Sequence, residues 1–338
     1  MIMLTGGLGY IGSNTALMLL RANYEILIYD NLSNSNLTTL KTLQDLSNHK
    51  INFIKGDIAD TRLLVNSLKD FNIDTVIHFA GLKAVSESIS FPLNYYKNNL
   101  YGTINLIDAM ESLSIQRLIF SSSATVYGAQ AALPITESQP KECINPYGRT
   151  KSFIEDMLID LSAANSKWNI SCLRYFNPVG ADVSGYLGDN FSAIPNNLLP
   201  RIVRVAAGEL EALEIFGSNY QTHDGTCERD YIHVSDLADG HLAALEYLSK
   251  QSNGIEFFNL GTGKGCSVLE LISIFEEVTG MSVPCINAVK REGDSESSYA
   301  CADKANRLLG WNAKRSLKDM CATAWNSYKL NEPSYHDS

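Results

Sequence analysis

At 338 residues the chain exceeds the usual length of one domain, about 150 residues, and is expected to form two. Charged residues make up 19% of it and hydrophobic residues 45%, a balance that excludes an intrinsically disordered chain. Its 27 basic and 37 acidic residues give a net charge of −10, which argues against a nucleic acid or an anionic membrane as the main partner. A local basic pocket for a phosphorylated small molecule stays compatible with that charge.

The first 180 residues alternate short apolar runs with longer stretches of helical periodicity. The apolar runs predict strands over residues 2–4, 25–29, 51–54, 75–79, 118–121 and 170–173. Apolar residues at helical spacing predict helices over residues 13–20, 95–111 and 147–160. This alternation predicts a doubly wound α/β fold of the Rossmann type, in which helices cover both faces of a parallel sheet.

The composition changes after about residue 177. Residues 180–200 are rich in Gly, Asn and Pro, and later segments predict strands over 213–216 and 257–260 and helices over 268–278 and 304–309. This pattern predicts a smaller C-terminal α/β domain that is entwined with the first. We expect the first domain to span residues 1–176, with residues 230–260 returning to it, and the second to span residues 177–338.

The cysteines and the N-terminal residues indicate the cellular compartment of the protein. The seven cysteines are scattered without a C-x-x-C pair, so we expect reduced thiols rather than a disulfide framework or a zinc site. No basic leader precedes an apolar stretch at the N-terminus, and no apolar run approaches the ~18 residues of a membrane span. We therefore expect a soluble cytoplasmic protein that holds no metal and contacts no membrane.

A glycine-rich loop follows the first predicted strand, with the sequence Thr5-Gly6-Gly7-Leu8-Gly9-Tyr10-Ile11-Gly12. It satisfies G-x-x-G-x-x-G and opens a predicted helix, which is the context that such a motif needs. Glycines let the backbone turn tightly and approach a pyrophosphate, whose charge lies against the helix N-terminus. A glycine pattern alone can also form an ordinary turn, but this context predicts a dinucleotide site with the contacts Gly6, Gly9, Tyr10, Ile11 and Gly12.

Polar residues at the ends of the next strands extend this site. Asp30 lies 24 residues beyond Gly6, and an acid there can bind the adenosine ribose and repel a 2′-phosphate, which favours NAD over NADP. Read alone, Asp30 is also compatible with a strand-end turn. The other predicted cofactor contacts lie at the carboxyl edge of the sheet, where ligands bind in this architecture, and are Asn31, Asn34, Ser35, Asp57, Ile58, Phe79, Ala80, Gly81 and Lys83.

The segment Tyr147-Gly148-Arg149-Thr150-Lys151 carries the catalytic signal. Positions i and i+4 share a face of the predicted helix, so Tyr147 and Lys151 are expected to point into one site. A tyrosine hydroxyl has a pKa near ~10, and a lysine ammonium together with a positive nicotinamide would favour the phenolate that a general base requires. Ser123, at the end of the fifth predicted strand, supplies a hydroxyl that can orient the substrate oxygen.

These segments resemble the extended short-chain dehydrogenases/reductases, and four more resemble the UDP-glucose 4-epimerase family. They are DTVIHFAGLKAV at 74–85, RYFNPVGA at 174–181, IPNNL at 194–198 and RDYIHV at 229–234. The resemblance covers essentially the whole chain. It implies an NAD-binding first domain, a UDP-sugar-binding second domain and a homodimer packed through residues 93–111 and 151–162.

The resemblance also implies residue roles in a UDP-hexose 4-epimerase. Tyr147 takes the proton of the sugar 4-hydroxyl while the C4 hydride passes to NAD, and the hydride returns to the other face of the 4-keto sugar. Lys151 tunes Tyr147 and holds the nicotinamide ribose, and Ser123 bonds the C4 oxygen. Asn98 and Phe176 match cofactor-side positions. Substrate contacts are expected from Lys83, Ser123, Tyr147, Asn177, Asn197, Leu198, Phe216, Arg229, Arg291, Asp294 and Ser298.

Ser298 departs from the pattern of epimerases confined to UDP-glucose and UDP-galactose. Those enzymes carry a bulky tyrosine near the sugar C2, four residues after the match of Asp294, whereas this chain has serine there. The smaller residue implies room for an acetamido group, so we expect interconversion of UDP-GlcNAc and UDP-GalNAc beside the plain hexoses. A shift of one residue would place Tyr299 at this position and close the pocket.

Two other functions fit the same fold. A nucleotide-sugar 4,6-dehydratase carries an Asp-Glu pair after the catalytic hydroxyl, where this chain has Ala124 and Thr125. A non-catalytic NAD-sensing protein commonly lacks the tyrosine or the lysine, and both are present here. The intact Ser123, Tyr147 and Lys151 set favours the epimerase.

Overall fold

The computed structural model of the chain describes residues 1–129, 131–189, 197–250, 254–291 and 294–331. Residues 194–196 of the IPNNL motif lie outside the described residues. In the part of the chain that is described, no helix has the length and apolar character that crossing a membrane requires.

Strands and helices alternate along the chain. The strands of the described residues are β1 (Ile2–Thr5), β2 (Ile26–Asp30), β3 (Asn52–Lys55), β4 (Thr75–His78), β5 (Arg117–Ser123), β6 (Asn169–Tyr175), β7 (Asn177–Val179), β8 (Leu213–Phe216), β9 (Glu228–Arg229), β10 (Tyr231–His233), β11 (Gly254–Leu260), β12 (Cys266–Ser267), β13 (Cys285–Ala288) and β14 (Ser297–Ser298). The α-helices are α1 (Tyr10–Arg21), α2 (Leu37–Ser47), α3 (Thr61–Asp70), α4 (Val85–Ser90), α5 (Pro92–Tyr95), α6 (Gly102–Ser112), α7 (Pro146–Ala164), α8 (Leu198–Ala206), α9 (Val234–Lys250), α10 (Val268–Thr279), α11 (Asp303–Leu309) and α12 (Leu317–Asn331). A π-helical segment, Tyr96–Tyr101, joins α5 to α6, and a short 3₁₀ turn follows β5.

Seven parallel strands form the central sheet, in the order β11-β6-β5-β4-β1-β2-β3. The chain winds outwards in one direction through β1, β2 and β3 and in the other through β4, β5 and β6. The two directions part between β1 and β4, and ligands of such sheets bind at that point, outside the carboxyl ends of the strands.

Successive residues of a strand point to opposite faces, and both faces of this sheet are apolar. In β1, Leu4 belongs to a core that includes residues of α1 and α9, whereas Met3 belongs to a core that includes residues of α3, α6 and α7. The predicted doubly wound α/β fold is therefore confirmed.

The remaining elements form three small sheets, β7 with β10, β8 with β13, and β9 between β12 and β14. Residues of α8, α10 and α12 form an apolar core beside them. The chain returns to the central sheet at β11, which pairs with β6 along its whole length. The domain boundaries given above stay predictions.

The predicted helix over 95–111 is interrupted. Its first part is π-helical, with one extra residue in the turn, and such turns are frequent at functional sites. Helix α2 was not predicted because few of its residues face the core: Leu43 is buried, but Leu37 is 54% exposed.

Candidate active site

The glycine-rich loop joins β1 to α1 and lies against the residues that follow β4. Gly6 has a φ of +69°, and a Cβ there would lie 2.7 Å from the backbone nitrogen of Ala80. A Cβ on Gly12 would lie 2.9 Å from the Cα of Gly7. Backbone atoms cannot give way as the end of a side chain can, so both positions require glycine.

The start of α1 is open to an anion. The helix begins at Tyr10, and its N-cap residue, Gly9, has no side chain that could accept a hydrogen bond from the first N–H groups. The first N–H groups of a helix have no intrahelical partners and carry a partial positive charge, which suits a pyrophosphate. The hydroxyl of Tyr10 donates to the carbonyl oxygen of Gly180 at 2.6 Å, so this helix start is held against the chain beyond β7.

Asp30 ends β2 beside the glycine-rich loop and is 7% exposed. Its Oδ2 accepts a hydrogen bond from the Leu8 nitrogen at 3.0 Å, and its Oδ1 accepts from the Leu32 nitrogen at 2.9 Å and from the Ser35 hydroxyl at 2.8 Å. A carboxylate has about four acceptor positions, so one remains for a ribose hydroxyl.

Asn31, Ile58 and Asn34, which were also predicted to contact the cofactor, differ in burial and in hydrogen bonding. Asn31 donates from Nδ2 to Oδ2 of Asp57 at 2.8 Å, which joins the ends of β2 and β3. Ile58 is buried against Gly102, whereas Asn34 is exposed.

The loop after β4 is hydrogen-bonded to the end of β1 and packs against the π-helical segment. Thr5 accepts hydrogen bonds at its carbonyl oxygen from the backbone nitrogens of Phe79 at 2.9 Å and Ala80 at 3.0 Å. A Cβ on Gly81 would lie 3.3 Å from Oδ1 of Asn99. Lys83 is half-exposed, with its Nζ 3.5 Å from Asp189 Oδ1.

Asn98 and Asn99 lie in the π-helical segment and support this loop. Asn99 accepts from the Leu82 nitrogen at 2.8 Å and donates to the Leu82 carbonyl at 3.0 Å and to Thr150 Oγ1 at 3.2 Å. Asn98 donates to Asn99 Oδ1 at 2.9 Å. The loop that follows β4 is thus fixed to α7.

Ser123, Tyr147 and Lys151, the catalytic cluster, meet where β5 ends and α7 begins. Asn145 caps α7 by accepting a hydrogen bond from Gly148 at 2.8 Å, which orients the first turn. The Nζ of Lys151 donates to the Ser121 carbonyl at 2.6 Å and lies 6.0 Å from the centre of the Tyr147 ring.

Ser123 is oriented by Thr125. The backbone nitrogen and the hydroxyl of Thr125 donate to Ser123 Oγ at 3.2 and 2.9 Å. A hydroxyl has two acceptor positions and one donor, so the proton of Ser123 is free to be donated. Against the larger effect of burial, the Ser123 hydroxyl lowers the pKa of Tyr147, because a hydrogen bond donated to the Tyr147 oxygen favours its phenolate form.

Burial opposes the charged forms of both titratable members of the catalytic cluster. It raises the pKa of Tyr147, against the effect of the hydrogen bond with Ser123. It lowers the pKa of Lys151 to about 8, against the effect of the Glu155 carboxylate. Lys151 is thus mainly charged at neutral pH, but it does not by itself bring the pKa of Tyr147 into the range of a general base. The expectation that a positive nicotinamide further favours the phenolate form of Tyr147 stays a prediction.

Arg229, Arg291 and Asp294, the charged cluster, lie beside β8 and β9. Arg229 donates from Nη2 to Asp294 Oδ1, and the Arg291 guanidinium lies 3.8 Å from the centre of the Phe216 ring. Burial raises the pKa of the Tyr220 hydroxyl to about 12; the Asp294 carboxylate adds to this effect, and the two arginines oppose it. Guanidinium groups suit a diphosphate because they can bind its oxygens with paired hydrogen bonds.

Asn177 and Asp230 connect the two clusters. Ser123 lies opposite Tyr175 in the β5–β6 register, and two residues further on Asn177 donates from its backbone nitrogen and from Nδ2 to the Asp230 carbonyl, both at 3.0 Å. The Asp230 nitrogen in turn donates to the Ser298 carbonyl at 3.0 Å. Hydrogen bonds therefore connect the chain just beyond β6, the strand that pairs with β5 at Ser123, to the segment that carries Ser298.

Phe176, Asn197 and Leu198 were also predicted to contact the cofactor or the substrate, and the residues packed around them show where they lie. Phe176 is 5% exposed and packs in a small apolar core with Val126 and Ala300. Asn197 and Leu198 begin α8, and the following Leu199 lines a cleft together with Tyr10. The start of α8 thus faces the glycine-rich loop, although no hydrogen bond described here links it to the charged cluster.

Ser298 ends β14, and Tyr299 directly follows that strand. Ser298 is the partner of Arg229 in the β14–β9 register. Tyr299 instead approaches Gly265, where a Cβ would lie 3.2 Å from its ring, and Glu228 borders the same glycine. The Tyr299 ring therefore lies on the side of Gly265 and Glu228, whereas Ser298 is paired with Arg229.

The UDP-glucose 4-epimerase of Bacillus subtilis (strain 168) is 48% identical over 334 residues, which cover 99% of this chain and 98% of that protein. The chain belongs to the UDP-glucose 4-epimerase family. A family model described as GDP-mannose 4,6 dehydratase also matches residues 3–324 of this epimerase. At the two positions after Ser123, where the dehydratase chemistry needs Asp and Glu, the chain has Ala124 and Thr125.

Solved structures of the family share the whole fold. A UDP-glucose-4-epimerase from Stenotrophomonas maltophila, crystallised with NAD and formylated UDP-arabinopyranose, has a TM-score of 0.95 and 43% identity, covering 97% of this chain and 98% of that one. The UDP-Glc/GlcNAc 4-epimerase of Campylobacter jejuni has a TM-score of 0.86 and 36% identity, with 97% and 99% covered. The family predicted from the sequence is confirmed.

The residues of this epimerase fit NAD. The Gly6 and Gly12 positions form a cradle that a Cβ would fill, the uncapped start of α1 suits the pyrophosphate, and Asp30 keeps an acceptor for a ribose hydroxyl. The assignment of individual residues to NAD or to the UDP-sugar stays a prediction.

Sequence reasoning missed Asn99, Thr125 and the buried pair of Glu155 and Arg174. None of them was assigned a role in the site, although Arg174 begins the RYFNPVGA segment. For Glu155 the spacing carried a signal, because it follows Lys151 by four residues and so continues the face that carries Tyr147.

Proposed function

We propose that Tyr147, Lys151 and Ser123 of this chain catalyse the inversion of C4 in UDP-hexoses. The chain is an NAD-dependent UDP-hexose 4-epimerase and therefore an isomerase. The observation that carries the residue assignment is the meeting of these three side chains where β5 ends and α7 begins.

The chain contributes proton transfer and orientation. Tyr147 accepts the proton of the 4-hydroxyl and later returns it, and Ser123 donates a hydrogen bond to the C4 oxygen once that oxygen replaces Tyr147 as its acceptor. Lys151 keeps a positive charge beside the phenolate, held by the Ser121 carbonyl. When bound, NAD supplies the reversible uptake of hydride from C4.

The charged cluster is proposed to hold the UDP end of the substrate. Arg229 and Arg291 bind the diphosphate, and Asp294 releases Arg229 when the substrate arrives. Asn177, Asn197, Leu198, Phe216 and Ser298 are proposed to complete this side. Anchoring at the diphosphate leaves the sugar free to present either face to the catalytic cluster.

We also propose that N-acetylated sugars are substrates. Two observations favour this: position 298 carries a serine that is paired with Arg229, and the Tyr299 ring lies on the side of Gly265 and Glu228. The similar Campylobacter jejuni enzyme is described as a UDP-Glc/GlcNAc 4-epimerase.

The test compares UDP-galactose and UDP-GalNAc with purified protein and no added NAD. Turnover of both is expected. Turnover of UDP-galactose alone would contradict the open pocket, and turnover of neither would contradict the epimerase assignment.

A cytoplasmic homodimer is proposed as the assembled form. Large apolar side chains are exposed on the two segments named by the resemblance, at Leu93 (69%), Tyr101 (58%), Phe153 (48%) and Ile159 (40%). All seven cysteines are free, which suits a reducing compartment. Sedimentation is expected to give twice the chain mass, and a monomer at micromolar concentration would contradict the dimer.

A further inference from the structure

Glu155 has no part in the chemistry proposed above, yet it is fully buried one helical turn beyond Lys151. Its carboxylate is held by three short hydrogen bonds. Ser122 donates from Oγ to Oε1 at 2.6 Å, and Arg174 donates from Nε to Oε1 at 2.9 Å and from Nη2 to Oε2 at 2.7 Å.

These partners lie on two neighbouring strands. Ser122 and Arg174 are opposite each other in the β5–β6 register, and Glu155 reaches both of them from α7. One carboxylate thus joins the helix that carries Tyr147 and Lys151 to the strand position directly before Ser123.

Two positively charged side chains lie beside the Glu155 carboxylate and balance its charge. Besides the Arg174 guanidinium, the Nζ of Lys141 is 3.6 Å from Oε2. Arg174 also donates from Nη1 to the Tyr127 hydroxyl at 2.8 Å. A buried ion pair of this kind is often no more stabilising than apolar residues of the same size, so its use points to a requirement for one defined geometry.

We propose that Glu155 is a positioning residue: through Ser122 it sets the place of Ser123 relative to Tyr147 and Lys151. The inference rests on the proposed function, because it assigns a task to the catalytic cluster. Glu155 touches neither the sugar nor NAD in this role. Its negative charge also favours the protonated form of Lys151, in keeping with the same arrangement.

Ser122→Ala is the variant that tests the proposal, since it removes the link to β5 and leaves the Glu155–Arg174 pair in place. We expect kcat on UDP-galactose to fall about 10- to 100-fold, as small misplacements of catalytic groups do, with KM and the NAD content unchanged. Ser171→Ala is the matched control. Ser171 is a buried serine of β6 whose hydroxyl has no partner among the described residues, and its loss is expected to leave kcat at the wild-type value.

A double variant separates positioning from a general structural effect. If Ser122 acts through Ser123, Ser122→Ala combined with Ser123→Ala loses no more kcat than Ser123→Ala alone. Independent, multiplying losses would overturn the proposal, as would a loss that simply follows the fraction of protein unfolded in thermal melting.

The outcomes also distinguish this inference from the proposed function. An active wild-type protein in which Ser122→Ala matches Ser171→Ala would overturn the positioning role alone. A wild-type protein that turns over no UDP-hexose would overturn the proposed function and this inference with it.

Discussion

The catalytic cluster and the charged cluster are built in different ways. Ser123 and Lys151 are 8% and 5% exposed and are held by neighbours within the sheet and on α7. The side chains of Arg229 and Asp294 are 18% and 24% exposed, and they are paired with each other. Under the proposed function, the first cluster is arranged before substrate arrives, whereas the second exchanges an internal partner for the ligand.

This difference predicts a division of labour. Groups that are fixed in advance at the reacting carbon act mainly on kcat, because their interactions serve the transition state. Groups that bind the distant diphosphate equally in the ground state and the transition state act mainly on KM. Four variants test this division and the cofactor cradle on which both clusters depend, from the largest expected effect to the smallest.

Tyr147→Phe removes the proposed base and keeps the ring. We expect kcat to fall about 10²- to 10⁴-fold with an unchanged KM, since general base catalysis contributes on that scale. Turnover of UDP-galactose and the absorbance of NAD released by denaturation are the measurements. NAD should stay bound, and retained turnover would remove Tyr147 from the role of base.

Gly12→Ala tests the cofactor cradle. The added Cβ would lie 2.9 Å from the Cα of Gly7, so the loop must shift and the bound NAD per chain is expected to fall, with activity falling in proportion. Gly208→Ala is the control: its φ of +80° makes alanine strained, but a Cβ there would have no atom within 4 Å. If both variants lost NAD equally, the cradle would not be the reason.

Arg229→Lys keeps a positive charge but removes the guanidinium fork. We expect KM for UDP-galactose to rise about tenfold with kcat changed little, the effect of losing one charge-assisted hydrogen bond. Arg201→Lys is a suitable control, because Arg201 is paired with Glu214 outside the charged cluster. A fall in kcat with an unchanged KM would contradict the prediction that the charged cluster acts mainly on KM.

Ser298→Tyr should have the smallest effect on the plain hexose. We expect turnover of UDP-galactose to stay within about twofold and that of UDP-GalNAc to be lost, because a bulky ring takes the space of the acetamido group. Tyr299→Phe, on the side of Gly265, should alter neither. Equal effects of Ser298→Tyr on both substrates would place position 298 away from the sugar C2.

Local patterns predicted much of the fold. Six of the seven strands of the central sheet correspond to apolar runs in the first 180 residues, and the seventh, β11, includes the predicted segment 257–260. The glycine-rich loop and the spacing of Tyr147 and Lys151 were also visible, because each lies within a single turn or helix. Elements with few core-facing residues, such as α2, left too weak an apolar pattern to be found.

The amino-acid sequence by itself determined the doubly wound fold, the glycine-rich turn and the shared face of Tyr147 and Lys151, since these depend on the period of a strand or a helix. Only the tertiary structure decided that Ser123 meets Tyr147, that Arg229 pairs with Asp294, that the Tyr299 ring lies beside Gly265, and that Glu155 reaches Ser122 and Arg174. Those contacts join residues that are far apart in the chain. They depend on strand register and on the packing of α7 against the sheet, which no local spacing encodes.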